Sequence, residues 1–489
     1  MEGLQVDMKG MLKRISISLL LLTSVVFCYG QSTTGEIVVT GFAGGNSDSP
    51  ILLYRYADPI SGHEQFVAVT HPDSSGRFSF TIQESAITHY FIRNGKHDNH
   101  FFAGDSSRID IICYPFESLS QSAVSDPFFT FERVAAADKN SCSLNNLISE
   151  LEEQYETALL RQSGRSQITT EQPLPTGSLH ITGCSLMADH PFAVAWSRYR
   201  EASLKVAHMV NTSARRKILS EYDRYFDPAN QAATELVSSL YSGYLRELLT
   251  GRGGDIVARV MEEGRNPALL TDIVIRETGL GRKSAEYILL DNLYREFFDL
   301  RFERPAIVAV TAWFVENGAN DKIKSIASSL HDLMRGLLTG GELPGFVLTG
   351  NDGELYSPES FTGKHLLLAF VDTRSFITWP ELELLKNNIA PYLNYIEIVA
   401  VMCDPDFGQA QASMKSRGYN WLMLDASGEY GLQSAYSTRP LPLFVLAGPE
   451  SEVISRPASW PSENLLKLIG TTLQPYLLND IGNRAPASR

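Results

Sequence analysis

Lys364-His-Leu-Leu-Leu-Ala-Phe-Val371 is a near-continuous apolar run. It is too short for a buried helix and does not alternate, which is the pattern of a central strand covered on both faces. Working outward, Pro380 to Asn388 reads as helix and Ile396-Glu-Ile-Val-Ala-Val-Met402 as a second buried strand. Phe407 to Arg417 is helical again. Leu443-Phe-Val-Leu-Ala447 and Glu452-Val-Ile-Ser455 pair around a Gly448-Pro-Glu-Ser turn, and Ser462 to Leu477 closes with a helix. Upstream, Gly345-Phe-Val-Leu348 and Glu354-Leu-Tyr356 are short strands. Strand, helix, strand, helix, two strands, helix makes an α/β layer with a small mixed sheet over residues 343–477, followed by a tail at 478–489.

The rest of the chain has a different texture. Residues 140–340 carry apolar positions at three- and four-residue spacing, as in Asn146–Leu160 and Ala285–Phe298, and read as a helical region. Asp227-Pro228 and Asn266-Pro267 look like helix starts, with the acid or amide as cap. Arg161 to Pro175 lacks periodicity and reads as a loop. Residues 31–120 alternate in short runs such as Arg77-Phe-Ser-Phe-Thr-Ile82, separated by turn clusters. That spacing predicts an antiparallel β-sandwich. The expected architecture is multidomain α+β: an N-terminal antiparallel sandwich, a central helical region and a C-terminal α/β domain.

Residues 1–30 read as an export signal. Lys9, Lys13 and Arg14 precede the apolar run Ile15–Phe27, and small residues surround a cut after Gly30. The run is shorter than the ~20 residues a membrane span needs. Bulky Phe27 before Cys28 opposes lipid attachment, so the expectation is a periplasmic or cell-envelope protein with no membrane-spanning segment after signal removal.

At 489 residues, with 42 Lys and Arg against 56 Asp and Glu, the formal charge is −14. An acidic chain of this kind opposes phosphate-backbone binding, so no nucleic-acid partner is expected. Thr278-Gly-Leu-Gly-Arg-Lys-Ser284 is read as a connection between helices and not as a DNA-reading turn. Gly251-Arg-Gly-Gly254 lacks the Lys-Ser/Thr of a phosphate loop. His97-Asp-Asn-His100 has two histidines without Cys or paired carboxylates, and is read as a solvated turn with no metal. Glu152, Glu153 and Glu156 read as a solvated helix face. No cofactor motif is found. Cys142 and Cys184 flank a polar stretch and are open to pairing, while Cys113 and Cys403 read as small buried hydrophobes.

The ordered set Leu343-Pro-Gly-Phe346, Asn351-Asp-Gly-Glu-Leu355, Ser360-Phe-Thr-Gly-Lys364, Leu366–Phe370 and Pro440-Leu-Pro442-Leu-Phe-Val-Leu446 resembles the TlpA-type (redoxin, thioredoxin-like) envelope family over residues 343–477. The resemblance implies a thioredoxin-like domain in which Leu441-Pro442 is the cis-proline loop. It also implies a C-x-x-C at the helix start after the central strand. This chain departs there: Ser375 and Thr378 stand where the two cysteines would be. Disulfide exchange needs a thiolate, and neither hydroxyl ionises near neutral pH or forms a mixed disulfide. Both side chains suit helix capping. A groove formed by Leu441, Pro442, Phe376 and Trp379 would still bind an extended peptide. The expected function is therefore a redox-inactive, protein- or peptide-binding envelope protein with a degenerate active site. The alternative is a TlpA-like thiol–disulfide oxidoreductase working through a non-standard cysteine, for which Cys403 is the candidate.

Overall fold

The structure is a computed structural model. It describes residues 35–484 apart from 44–48, 85, 105–107, 121–122, 124–125, 127–128, 166–178, 180–188, 208 and 300. The signal-like segment and Cys184 lie outside the described residues.

Strict alternation in β4 (Arg77–Glu84) sends Phe78, Phe80 and Ile82 inward and their neighbours to solvent. β4 pairs with β1 (Gly35–Phe42), which continues to β7 (Arg108–Ile112) and β9 (Ala137–Asp138). The facing sheet has the order β3 (Glu64–Thr70), β2 (Ile51–Tyr56), β5 (Thr88–Asn94), β6 (His97–Ala103), β8 (Glu132–Ala135). Val39, Phe80 and Ile111 of one sheet meet Leu53, Ile92 and Phe101 of the other in one core. Two pairings, β1–β7 and β6–β8, are parallel. Alternation encodes which face is buried but not pairing direction, so the sequence reading made every pair antiparallel. Strands β8 and β9 also carry the sandwich beyond residue 120.

The helical region comprises α1 (Leu144–Arg165), α2 (Pro191–Ala207), α3 (Thr212–Tyr222), α4 (Gln231–Tyr241), α5 (Tyr244–Thr250), α6 (Gly254–Glu263), α7 (Ala268–Thr278), α8 (Arg282–Phe298), α9 (Arg304–Asn317) and α10 (Asp321–Arg335). α1 extends five residues into the stretch read as loop. The cap of α4 is Asn230, whose side chain accepts from the Ala233 amide. Asp227 instead accepts from the Ala229 amide and pairs with Lys322 at 2.7 Å. Asn266 likewise is not the cap of α7, which starts after Pro267. Glu152 is no solvated residue: it accepts from Trp196 and, at 2.6 Å, from Arg200.

After the hairpin β10 (Leu348–Thr349) and β11 (Leu355–Tyr356) comes β12 (His365–Val371), buried at all seven positions. It is the middle of a sheet ordered β14 (Leu422–Asp425), β13 (Ile396–Met402), β12, β15 (Leu443–Ala447), β16 (Val453–Ala458). β12, β13 and β14 run parallel, and β15 and β16 antiparallel. α11 (Thr378–Asn388), α12 (Phe407–Ser416) and α14 (Leu465–Arg484) contribute Leu382, Met414 and Ile469 to the core on one face. α13 (Tyr430–Tyr436) contributes Leu432 and Tyr436 on the other. Parallel strands followed by an antiparallel pair, with helices on both faces, is the thioredoxin-like order.

The three regions touch. Ser434 of α13 donates to the Glu64 carbonyl of β3, and the Tyr430 ring packs at a tilt against Phe66, 5.6 Å between centroids. Ser329 of α10 donates to Asp58 at 2.8 Å. Gly340 and Gly341 exchange backbone hydrogen bonds with Val453 of β16, each 2.7 Å. Among the described residues no helix is long and apolar enough to cross a membrane.

Candidate functional site

β12 ends at Val371, and the chain turns through residues 372–377 before α11 begins at Thr378. Carboxylates organise the turn. Asp372 accepts from the Arg374 amide at 2.9 Å and from its guanidinium at 2.6 Å. Asp404, at the end of β13, accepts from the Thr373 hydroxyl at 2.5 Å and from its amide at 3.0 Å. Burial raises the Asp404 pKa, against the lowering effect of its Thr373 bond.

Ser375 and Thr378 are both at 0% exposure. Thr378 Oγ1 donates to the Asp372 carbonyl at 2.8 Å. Ser375 Oγ is buried without a hydrogen-bond partner. Neither hydroxyl caps the helix: the residue before α11 is Ile377, which makes no side-chain cap bond. The expected capping role fails because the helix starts at Thr378 itself, three residues after Ser375. No histidine is bonded to Ser375, so it lacks the base that nucleophilic activation requires.

The thiols offer no ready thiolate, although Cys113 is buried and Cys403 only half-buried. Among the described residues the free cysteines are Cys113 and Cys403. Burial pushes Cys113 up to about 12. Cys403 is raised further from the ordinary thiol value, first by burial and then by the charges of Asp372 and Asp404. Its Sγ is directed toward the Val401 carbonyl at 3.8 Å. A thiol held this way is protonated near neutral pH, and the thiolate is the nucleophile. Cys142 is disulfide-bonded.

The four residues expected to form one groove are separated. Phe376 is 63% exposed. Trp379 donates to the Thr373 carbonyl at 3.2 Å and packs under Arg417, 4.0 Å from ring centroid to guanidinium. Leu441 packs against the α13-side core. Pro442, after a cis Leu441–Pro442 bond, lines a cavity of about 850 Å³ that includes neither Phe376 nor Trp379. The cavity lies where the sandwich, α8, α10 and the C-terminal domain meet, and its wall carries the three cis prolines of the described residues, Pro440, Pro442 and Pro457. The sequence reading assumed that the helix start and the proline loop enclose one space. The ring-on-guanidinium packing of Trp379 and the docking of β3 on α13 prevent that.

The same wall carries charge that the sequence reading missed. Arg93 takes both oxygens of Glu64 at 3.0 Å and both of Asp98 at 2.8 Å. Arg439 lies over Phe131 at 4.6 Å, and Arg456 over Tyr436 at 5.1 Å. Arg439 is reached by water yet crowded by protein, as a cavity-lining group is: burial and then the charge of Arg93 lower its pKa. Burial also lowers that of Arg456. Two Arg-Pro dipeptides, Arg439-Pro440 and Arg456-Pro457, were the available signal.

His97–His100 is not a turn but the first half of β6. His100 Nδ1 lies 3.0 Å from His89 Nε2 on the neighbouring strand, and His97 Nε2 lies 3.3 Å from Glu132 of β8. Burial holds His89 down at about 4 and His100 at about 3. Among the described residues no group of three or more His, Cys, Asp or Glu side chains is placed to hold a metal ion.

No protein-family model matches the chain. No curated protein matches it either. Solved structures do. A thioredoxin-like protein from Bacteroides caccae is 15% identical, covers 53% of this chain and 94% of its own, and has a TM-score of 0.31. The thioredoxin domain of a thiol-disulfide oxidoreductase from Bacteroides vulgatus is 16% identical over 29% of this chain and 98% of its own, with a TM-score of 0.25. A thiol:disulfide interchange protein from Bacteroides sp. is 20% identical over 28% and 90%, with a TM-score of 0.24. The two shorter matches correspond to the C-terminal region, and the first extends over about half of the chain. The fold description rests on the strand order and direction given above.

Proposed function

We propose that this chain is a redox-inactive binding protein of the cell envelope, whose thioredoxin-like domain holds a partner protein or peptide instead of exchanging disulfides. The observation that carries this reading is the closed helix start. Ser375 and Thr378 stand at the cysteine positions with no exposure, and Thr378 is tied to the backbone. The cis-proline loop, by contrast, borders open space of about 850 Å³, within the size range of ligand sites. The binding place is therefore assigned to the Pro440–Pro442 loop and not to Phe376 and Trp379. The envelope location rests on the export-like N-terminal sequence.

A second reading takes its motive from the descriptions of two similar structures, a thiol-disulfide oxidoreductase and a thiol:disulfide interchange protein. Here the Cys403 thiolate would attack a substrate disulfide, form a mixed disulfide and release the other sulfur as a thiolate. A thiol from a second protein would then resolve it. Burial of Cys403 beside two carboxylates opposes the first step.

Reduction of insulin by dithiothreitol separates the readings. The purified mature protein is expected to leave the rate at its uncatalysed value. Acceleration that disappears in Cys403→Ser would overturn the binding reading.

A further inference from the structure

We propose that the cavity at the cis-proline loop is a binding site for an anionic ligand, one presenting carboxylate or phosphate oxygens to Arg439 and Arg456. This deepens the binding role proposed above and rests on it. The chain carries a formal charge of −14, yet this wall gathers Arg93, Arg133, Arg439 and Arg456 against Glu64, Asp98 and Glu463. Glu64 and Asp98 are both engaged by Arg93. Glu463 accepts from the Trp460 amide at 3.2 Å. That leaves three guanidinium groups on the wall, those of Arg133, Arg439 and Arg456, without a carboxylate within ion-pair distance among the described residues.

Arg439 and Arg456 make no ion pair among the described residues, and their direct contacts are neutral. Arg439 has the face of Phe131. Arg456 has the face of Tyr436 and the Ala435 carbonyl, to which it donates, and its Nε is buried with no acceptor. A guanidinium is a planar fork with five donors that fits two oxygens of one anion. Partly desolvated guanidinium groups that lack such oxygens are costly to keep, and an oxyanion is the chemistry that completes them. His63, which also lines the cavity, adds no positive charge there. Burial comes first among the causes that lower its pKa, and Arg456 acts in the same sense. Phe131, Tyr436 and Trp460 supply an apolar body to the site.

The test is isothermal titration calorimetry on the full mature protein at constant ionic strength. The probes are inorganic phosphate, succinate and the neutral isostere succinamide. Saturable heat from phosphate or succinate, and none from succinamide, is expected. The tighter of the two anions names the source of the oxygens. Arg439→Gln and Arg456→Gln are each expected to weaken the anion roughly tenfold or more. Arg439→Lys and Arg456→Lys, which keep the charge but lose the fork, should fall between, and the exposed Lys364→Gln should match the parent. Circular dichroism establishes that each variant is folded. Heat from neither anion, equal heat from succinamide, or an anion affinity unchanged in both Gln variants would overturn the proposal. Reductase activity in the insulin assay would instead overturn the binding role beneath it, and would leave these titrations as they stand.

Discussion

Ser375→Ala is expected to stabilise the C-terminal domain. Ser375 has no exposure and its Oγ has no partner. Burying an unpaired hydroxyl costs about 1–3 kcal/mol by mutational estimates. Its removal leaves a void of one oxygen atom, which returns less than about 1 kcal/mol of that. The net expectation is a gain of roughly 0.5–2 kcal/mol. Thr378→Val is the internal control and should have the opposite sign. It deletes the 2.8 Å bond to the Asp372 carbonyl, worth about 1 kcal/mol. That carbonyl keeps the Ser375 amide at 3.1 Å, so no orphan acceptor adds to the loss. Because the chain has several domains, a single melting temperature does not isolate the effect. Hydrogen exchange of the β12 and β13 amides as a function of urea, read by mass spectrometry, reports this domain alone. If Ser375→Ala lost about 0.5 kcal/mol or more, as a helix cap or an organised catalytic hydroxyl would, the account of the closed helix start would be wrong.

Other consequences are open to direct measurement. Iodoacetamide should label native Cys403 at least ~100-fold more slowly than a free thiol near pH 7.5, since burial and two carboxylates disfavour its thiolate; rapid labelling would revive the redox reading. Arg93→Met should cost about 3–5 kcal/mol, because it strands buried Asp98 without its cation, and adding Asp98→Asn should recover part of the loss. His89 and His100 are held below the ordinary value of 6.5, so the unfolded chain binds more protons between that value and about 4. Sandwich stability should therefore be full above pH 6.5 and fall with acid across that window, by up to about 1.4 kcal/mol per pH unit for each histidine. Urea midpoints at pH 7.5 and 5.0 check this, and a His89→Phe, His100→Leu variant should flatten the difference.

Much of the fold was legible because it is written locally. The unbroken apolar run His365–Val371 meets the core on both faces, and a strand so covered has few places in an α/β layer other than the middle. Alternation in Arg77–Ile82 likewise reports a half-buried strand. Pairing direction left no trace, so the parallel β1–β7 and β6–β8 pairs went unread. The histidines of β6 were misread for a related reason. His97-Asp-Asn-His100 is polar as a string, and only its pairing with β5 turns it into a packed strand.

The candidate site divides along the same line. The missing cysteines were visible, since identity at two positions is a local fact. The place left for a ligand was not. Pro442 faces Phe131 and Glu64 across one cavity because Ser434 and Tyr430 dock on β3, about 370 residues away in sequence. That docking also decides the electrostatics. Arg93 comes from the sandwich and absorbs both nearby carboxylates, leaving Arg439 and Arg456 from the C-terminal domain without an ion pair among the described residues. An isolated C-terminal domain would carry the same two arginines on an open surface, where water screens them and an anion gains little. Joined to the sandwich, the same residues meet a low-dielectric wall, and their preference for an oxyanion grows with the desolvation that wall imposes. Selectivity for an anion is thus a property of the assembled chain. It should weaken when α13 is separated from β3: Tyr430→Ala, which removes the ring contact with Phe66 from outside the cavity wall, should lower succinate affinity. Unchanged affinity in that variant would show that the two arginines act without the wall.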